Sequence, residues 1–268
     1  MLAFNELGNI GRLGNQMFQY AATRGLAAAK SYEWCIPPFT THRIDNYSLS
    51  NCFTLESVTP NNQYILDRGH APVVMEKQFH FDEELMQLCP NDVSLYGFFQ
   101  TWKYFAHIED EIREDFTFKP EVQKLCKDIW KEIVTDEGYT EAIGLHVRRT
   151  DHLIKPTFHP VLPISYYEEA LGRLPENIPV FVFTDDPSWA FGHKFFKSDR
   201  FFISESDNIH DMCLMSMCDY NIIANSTFSW WGAWLAGHDR VIAPKLWFGP
   251  DGEDPTDIYI DRWEYLDV

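Results

Sequence analysis

Positively charged and acidic residues are concentrated in one short segment, His-Val-Arg-Arg-Thr-Asp at residues 146–151, directly after the apolar strand predicted at Ile143–Val147. A guanidinium group is planar, permanently charged and able to hold two phosphate oxygens at once. Because the chain has a formal net charge of −18, an anionic ligand needs such a local concentration of positive charge. The segment predicts a diphosphate site with Arg148 as its main ligand. The alternative is a surface ion pair between Arg149 and Asp151.

A second candidate segment, Gly8 to Gln16, contains three glycines and precedes an alanine-rich helix. Glycines allow a backbone to approach a ligand closely, and a helix N-terminus offers unpaired N–H groups. The spacing differs from the dinucleotide-binding pattern, and the acidic Glu33 precedes the next strand instead of ending it. An oxidoreductase is therefore disfavoured. Taken alone, the segment is also consistent with a simple turn.

A third segment, Asn225 to Ser229, is rich in hydroxyl groups and opens a predicted helix. Ser226 or Thr227 is a natural N-cap, and the amides of the helix would suit a phosphate held jointly with Arg148. Capping alone is the alternative.

Two further pairs of residues favour structural roles. Asp185 and Asp186 follow a strand, but Pro187 comes next, and an aspartate before an N1 proline is typical of a helix cap rather than a metal ligand. Trp230 and Trp234 share a helical face, and core packing is favoured over stacking on a sugar.

The elements that would position these residues alternate between strand and helix from Ala142 onward, which predicts an α/β fold with a parallel sheet. Ligands of such sheets bind at the carboxyl ends of the strands. We predict two domains, residues 1–138 and 139–268. The elements predicted for the first are strand Leu2–Leu7, helix Gln16–Lys30, an irregular region Trp34–Leu95, strand Val93–Phe99 and helix Val122–Val134. Those of the second are strands Ile143–Val147, Val180–Thr184, Phe201–Ser204, Tyr220–Ala224 and Val241–Ala243, and helices Ser165–Leu174, one after Pro187, Asp211–Cys218 and Thr227–Ala236.

The composition excludes several classes of protein. With 268 residues, 45% of them apolar and 16% aromatic, the chain suits a well-packed globular protein. The six cysteines include no C-x-x-C pair, so neither a disulfide framework nor a zinc site is indicated. The negative charge disfavours nucleic acid and anionic lipid as partners. We expect a cytoplasmic protein without a transmembrane segment, since no apolar run is long enough to span a bilayer and no signal peptide is evident.

Four motifs in order along the chain, Gly11–Ala21, His146–Asp151, Thr184–Pro187 and Asn225–Leu235, resemble glycosyltransferase family 11, the α-1,2-fucosyltransferases. The resemblance implies a GT-B type fold of two Rossmann-like domains, with an acceptor-side domain at residues 1–138 and a GDP-fucose-binding domain at 139–268. It also implies inverting transfer of fucose from GDP-β-L-fucose to the 2-hydroxyl of a terminal galactose of an oligosaccharide acceptor. Neither a metal nor another cofactor is expected.

The resemblance places Arg148 at the β-phosphate, His146 and the loop Gly11–Gly14 near the nucleotide, and Asp211 at the guanine. Ser226 to Ser229 would line the phosphates. The expected donor-binding residues are Gly11, Arg12, Gly14, Asn15, His146, Arg148, Asp185, Asp211, Asn225, Ser226, Thr227, Phe228 and Ser229.

The chain departs from the α-1,2 pattern H-x-R-R-G-D-Y at Thr150 and His152. With Thr150, the motif instead resembles that of the protein fucosyltransferases and the core α-1,6 fucosyltransferases, so an α-1,6-like linkage is an alternative. A non-catalytic GDP-sugar or glycan-binding protein is another alternative. The candidate bases are Asp151, His152 and His159. Asp151 is preferred as a catalytic residue beside Arg148, although it is also expected to pair with Arg149.

Overall fold

Two parallel β-sheets organise the computed structural model, which describes residues 1–39 and 48–268. One sheet lies in a first unit, Met1–Lys119 with Asp254–Ile260, and the other in a second unit, Pro120–Glu253 with Asp261–Val268. The division falls at residue 119 instead of 138, and a short C-terminal segment returns to the first unit. Residues 40–47 of the region predicted to be irregular lie outside the described residues.

Among the described residues, the sheet of the first unit has four parallel strands, in the order Trp34–Cys35, Leu2–Ala3, Val93–Tyr96 and Val73–Met75. The predicted strands Leu2–Leu7 and Val93–Phe99 end early, because the chain turns back where Leu7 N donates to Phe4 O and where Phe99 adopts a positive φ of 53°. The strands are β1 (Leu2–Ala3), β2 (Trp34–Cys35), β3 (Val73–Met75) and β4 (Val93–Tyr96). The helices are α1 (Leu13–Lys30), α2 (Leu49–Cys52), α3 (Glu83–Leu88) and α4 (Glu109–Asp115), with 3-10 turns at Pro60–Asn62, Leu66–Gly69, Trp102–Tyr104, Ala106–Ile108 and Thr256–Ile258.

A buried carboxylate fixes α1 in the first unit. Asp115 is fully buried; its Oδ2 accepts a hydrogen bond of 2.8 Å from the Tyr20 hydroxyl and its Oδ1 one of 2.8 Å from Ser57 N. Arg24, one turn after Tyr20 on α1, forms an ion pair with the same carboxylate. A buried charge that is paired and hydrogen-bonded in this way offsets its desolvation cost.

The sheet of the second unit has six parallel strands, in the order Glu264–Leu266, Val241–Pro244, Tyr220–Ile222, Ile143–Val147, Val180–Thr184 and Phe201–Ile203. The predicted alternation of strand and helix is confirmed, with the addition of the C-terminal strand. The strands are β5 (Ile143–Val147), β6 (Val180–Thr184), β7 (Phe201–Ile203), β8 (Tyr220–Ile222), β9 (Val241–Pro244) and β10 (Glu264–Leu266). The helices are α5 (Pro120–Trp130), which continues into a π-helical turn Lys131–Thr135, α6 (Ile164–Leu171), α7 (Pro187–Gly192), α8 (Asn208–Met217) and α9 (Thr227–Ala236), with a 3-10 turn at Lys194–Phe196.

Packing explains why α5 belongs to the second unit. The Trp130 ring stacks on that of Phe181 in β6 at 5.8 Å, and the Cys126 thiol lies 3.5 Å from the carbonyl of His210 in α8. The face of α5 that carries the buried Val122 and Cys126 thus packs within the second unit, so the chain changes unit before this helix.

Apolar side chains fill the core of the second unit. The alternate residues Ile143, Leu145 and Val147 of β5 belong to one buried cluster. On α9, Trp230 and Trp234 are almost fully buried and stack on each other at 6.3 Å, which confirms that they pack in the core. All six cysteines are buried thiols. Within residues 1–39 and 48–268, no helix has the length and hydrophobicity of a membrane span.

Candidate active site

The carboxyl ends of three neighbouring strands bring most of the predicted residues of the second unit to one edge of its sheet. In the strand order β8-β5-β6, Arg148 follows β5, Asp185 follows β6, and Asn225 lies between β8 and α9. Since the three strands are parallel, their ends lie on the same edge, where ligands of such sheets bind.

Arg148 is held by two carboxylates. Its Nε and Nη2 donate to the two oxygens of Asp151 at 2.9 Å each, and its Nε also lies 3.3 Å from Oδ2 of Asp185. Only 14% of the Arg148 side chain is exposed. Because a guanidinium has five N–H donors, these contacts fix its orientation and leave donors for phosphate oxygens.

The predicted pairing of Arg149 with Asp151 is wrong. The chain turns directly after Arg149, with Leu153 N donating to Arg149 O at 2.8 Å, and this turn brings Asp151 back onto Arg148. Arg149 instead lies over the ring of Trp189 in α7, with its guanidinium carbon 3.9 Å from the ring centroid, and donates to Asp186 at 3.2 Å. Arg149 therefore anchors the segment to α7.

Asp186 also caps α7, as predicted. Its Oδ1 accepts a hydrogen bond from Trp189 N at 3.2 Å, and Pro187 occupies the first helical position. The carboxylate thus satisfies one of the amides at the start of the helix while its other oxygen binds Arg149.

Asp185 organises the segment that carries Arg148. Its two oxygens accept hydrogen bonds from Arg149 N at 2.8 Å, from Thr150 N at 3.2 Å and from the Thr150 hydroxyl. Burial by itself would raise the pKa of this carboxyl, but the Thr150 hydroxyl, the charge of Arg148 and the Arg149 amide together lower it. Asp185 is therefore ionised, and its contacts position the backbone beside Arg148.

His146, on β5, is a buried neutral imidazole next to the start of α9. Its ring packs on that of Phe228 at 5.2 Å. Burial, followed by the charge of Arg148, lowers the pKa of His146 to about 3. Its Nδ1 is buried and has no hydrogen-bond partner among the described residues. A bound ligand would be expected to supply one, because buried polar atoms in proteins are normally hydrogen-bonded.

The start of α9 is less fully capped than predicted. Ser226 occupies the N-cap position, but its side chain makes no capping hydrogen bond to a described residue. The Ser229 hydroxyl is buried and donates to Ala224 O at 3.2 Å and to Ser226 O at 3.3 Å, so it serves the local backbone. That Ser226, Thr227 and Ser229 contact the donor stays a prediction. That the backbone amides at the start of α9 bind a phosphate also stays a prediction.

Asp211 is nearly buried in the first turn of α8, where it accepts a hydrogen bond from the Ser204 hydroxyl. Burial raises the pKa of Asp211 to about 7, an effect that Ser204 opposes and Asp207 reinforces. The helix begins at Asn208, earlier than predicted, because the Asp207 side chain caps it by accepting from the amides of Ile209 and His210. The expected contact of Asp211 with guanine stays a prediction.

The two histidines considered as bases are stacked on each other. The rings of His152 and His159 lie 4.9 Å apart at an angle of 11°. Burial first, and then the charge of His159, lower the pKa of His152 to about 4; burial also lowers the pKa of His159. Both rings are therefore neutral at neutral pH.

The predicted glycine loop lies in the first unit. Gly11 has a φ of 77°, and a Cβ there would collide with the side chain of Asn15. Gln100 Nε2 donates to Asn15 Oδ1 at 3.1 Å, and Gln19 Nε2 donates to Ile10 O at 3.2 Å. These contacts hold the loop at the start of α1, which begins directly after Arg12. The nucleotide contacts of Gly11, Arg12, Gly14 and Asn15 stay predictions.

Sequence reasoning did not single out Trp189, Phe158 or Phe248. Trp189 is the third residue of a helix that Asp-Pro starts, so its contact with Arg149 follows only from the fold. Phe158 and Phe248 lie far apart in irregular segments, where no periodicity marks them, and their rings meet at 5.3 Å.

Comparison with known proteins decides the family. The model of glycosyl transferase family 11 matches residues 3–267. The chain belongs to this family. It is 30% identical to the O-antigen biosynthesis glycosyltransferase WbnK of Escherichia coli, over 94% of this chain and 97% of that protein. It is 29% identical to an alpha-1,2-colitosyltransferase of Escherichia coli, over 94% and 95% of the two chains. It is 28% identical to galactoside alpha-(1,2)-fucosyltransferase 1 of Alouatta caraya, over 94% and 72%.

Solved structures share the fold of this family 11 chain at low sequence identity. The fucosyltransferase NodZ from Bradyrhizobium matches with a TM-score of 0.62 and 14% identity, over 91% of this chain and 94% of that one. POFUT1 in complex with GDP matches with a TM-score of 0.53 and 12% identity, over 90% and 96%. Together with the parallel sheets, these likenesses confirm the predicted α/β, GT-B type fold class.

Proposed function

We propose that this family 11 glycosyltransferase transfers L-fucose from GDP-β-L-fucose to the 2-hydroxyl of a terminal galactose of an oligosaccharide. The observation that carries the proposal is Arg148, a largely buried arginine fixed by Asp151 and Asp185 at the carboxyl edge of a parallel sheet. The names of the relatives support the linkage, since they include an alpha-(1,2)-fucosyltransferase and an alpha-1,2-colitosyltransferase.

The donor would lie along the edge formed by β8, β5 and β6. Arg148 would bind the β-phosphate, with the amides at the start of α9 as further donors and His146 as a neutral neighbour. Asp211 would accept hydrogen bonds from guanine. A NodZ structure was obtained by soaking with GDP-fucose, which supports this class of donor for a chain of the same fold.

The chemical step would be a single displacement with inversion. The acceptor O2 forms a bond to C1 of fucose, while the bond from C1 to the β-phosphate oxygen breaks and its electron pair leaves with GDP. The acceptor hydroxyl proton passes to a base. The charge that develops on the phosphate is what Arg148 stabilises, and removing one such interaction typically lowers the rate by about 10² to 10³. Because Arg148 and the helix amides supply this charge stabilisation, we propose that no metal is required.

For the base we propose Asp151. About half of its side chain is exposed, so an acceptor hydroxyl can reach it, yet both of its oxygens also bind Arg148. The same carboxylate would therefore orient the arginine and accept the proton. Each carboxylate oxygen has two lone pairs, so the two roles are compatible.

A second candidate donor is GDP-colitose, because the alpha-1,2-colitosyltransferase matches this chain over 94% of its length. Purified protein should be incubated with GDP-fucose or GDP-colitose on a glycan array, with and without EDTA, and the product linkage determined by permethylation analysis. We expect 2-linked fucose on galactose-terminated glycans, unchanged by EDTA. A 6-linked product, a requirement for metal, or binding of GDP-fucose without hydrolysis or transfer would each contradict the proposal.

A further inference from the structure

Four rings contact one another in the segments that follow β5 and β9. The rings of His152 and His159 are 4.9 Å apart, those of Phe158 and His159 4.6 Å, and that of Phe248 lies 5.3 Å from Phe158 and 5.5 Å from His159. The side chain of His152 is buried, whereas the other three rings are partly exposed. We call Phe158, His159 and Phe248 the ring face.

Backbone contacts hold the ring face in one arrangement. Asn225 Nδ2 donates to the carbonyls of Pro160 and Trp247 at 3.0 Å each, which ties both segments to the end of β8. Gly249 N donates to Phe158 O at 3.0 Å, and a Cβ at Gly249 would collide with the carbonyl of Thr157. The ring face is therefore preorganised, so a ligand would not have to order it.

The ring face lies within electrostatic reach of the proposed catalytic groups. His152 directly follows Asp151, and the charges of Arg148 and Asp151 act on both His152 and His159. The buried Nδ1 of His152 and Oδ1 of Asn225 have no hydrogen-bond partner among the described residues. Aromatic rings close to a few polar and charged groups are typical of a small-molecule site.

We propose that the ring face binds the apolar face of the terminal sugar of the acceptor, which, resting on the proposed function, is galactose. The pyranose ring of galactose presents C–H groups on one side, and the face of an aromatic ring carries partial negative charge that attracts them. The occupant is the acceptor and not the donor, because the anionic GDP needs the charge of Arg148, whereas the acceptor is uncharged and suits neutral rings.

The test is kinetic and uses lactose and N-acetyllactosamine, two galactose-terminated disaccharides, as acceptors. In Phe248→Leu and Phe158→Leu we expect the acceptor KM to rise about threefold to tenfold, while the KM for GDP-fucose and the rate of donor hydrolysis without acceptor stay unchanged. Phe248→Tyr keeps an aromatic ring, so its acceptor KM should stay close to the wild-type value. Phe191→Leu, the same change at an exposed phenylalanine of α7, is the matched control and should behave as wild type.

Three outcomes would overturn the inference. The KM for GDP-fucose rises instead of the acceptor KM; both leucine variants leave the acceptor KM unchanged; or Phe191→Leu shifts it equally. Circular dichroism melts of each variant separate misfolding from lost binding, and if one leucine variant does not fold, the other leucine variant provides the test. Wild-type protein that hydrolyses GDP-fucose but transfers to neither disaccharide would refute the ring face as a galactose site. Absence of any reaction with GDP-fucose would instead refute the proposed function, and this inference with it.

Discussion

Two arginine–aspartate networks, one in each unit, use the same residue types for different purposes. In the first unit Asp115 is fully buried and binds Arg24, the Tyr20 hydroxyl and the Ser57 amide. All of these partners come from the protein, so the network is complete without a ligand. Its consequence is stability of the packing of α1.

In the second unit the corresponding network is left open. Arg148 binds Asp151 and Asp185, but about half of the Asp151 side chain is exposed, and the guanidinium keeps donors for a ligand. An arginine at a sheet edge can therefore form a candidate site when its carboxylate partners orient the guanidinium without using all of its N–H donors. Perturbing the two networks should therefore give opposite results in activity and stability.

The largest effect is expected at Arg148. In Arg148→Ala, kcat/KM for GDP-fucose should fall by about 10² to 10³, because a charge aimed at the leaving phosphate is lost, while the melting temperature changes little. Arg24→Ala is the matched control from the first unit. It should lower the melting temperature and leave kcat/KM per folded molecule near wild type. Initial rates and thermal melts of both variants test this, and wild-type turnover in Arg148→Ala would exclude Arg148 as the phosphate ligand.

The next effect concerns the carboxylates of the two networks. Asp115→Ala leaves Arg24 and Tyr20 without their buried partner, so the free energy of unfolding should drop by about 3–5 kcal/mol. In Asp185→Asn we expect a smaller loss of stability, because the carboxylate is only partly buried, and about a tenfold loss in affinity for GDP as the segment around Arg148 loosens. Urea unfolding and GDP titration calorimetry measure the two quantities. If Asp185→Asn were as destabilising as Asp115→Ala and bound GDP normally, Asp185 would contribute to the stability of the fold and not to donor binding.

Asp151→Asn separates orientation of Arg148 from proton transfer. Asparagine keeps one acceptor oxygen for Arg148 but cannot take a proton, so a base role predicts a fall in kcat of about 10² to 10⁴ with GDP affinity largely retained. A role in orientation alone predicts a parallel loss of GDP affinity and only a modest fall in kcat. Single-turnover rates and calorimetry distinguish the two, and a normal kcat would transfer the base role elsewhere.

Local sequence patterns predict part of the fold and part of the candidate site. The strands Ile143–Val147 and Val180–Thr184 and the helix Thr227–Ala236 have the bounds that the sequence predicts, because local periodicity and caps determine them. Those elements bring Arg148, Asp185 and Asn225 to one edge, as expected for parallel strands. The family is also predictable from the sequence, because the four motifs and their order along the chain are local features that do not depend on tertiary contacts.

Contacts set by tertiary folding escaped prediction. The partner of Asp151 depends on a turn that returns it to Arg148, and the cation–π contact of Arg149 with Trp189 joins residues 40 positions apart. The meeting of Phe158 with Phe248 likewise depends on backbone contacts between two segments without periodicity. The unit boundary was misplaced because an amphipathic helix such as α5 does not reveal which sheet it packs on.

The smallest expected effect is a pH dependence of stability at Asp211, a third carboxylate that has no arginine partner among the described residues. Its pKa is about 7 in the folded chain, raised by burial, whereas the ordinary value is 3.8. The folded state therefore binds the proton more tightly, so the stabilisation from Asp211 is complete below pH 3.8 and is lost as pH rises to about 7. His146 and His152 have the opposite effect on stability: burial lowers their pKa values to about 3 and 4, so their contribution to stability falls as pH drops below 6.5.

We expect Asp211→Asn to lose stability on acidification from pH 7 to 5 more steeply than wild type, because only the histidine contribution remains. Urea unfolding at half-unit pH steps tests this, and parallel curves for the two proteins would show that Asp211 is already ionised when folded at neutral pH.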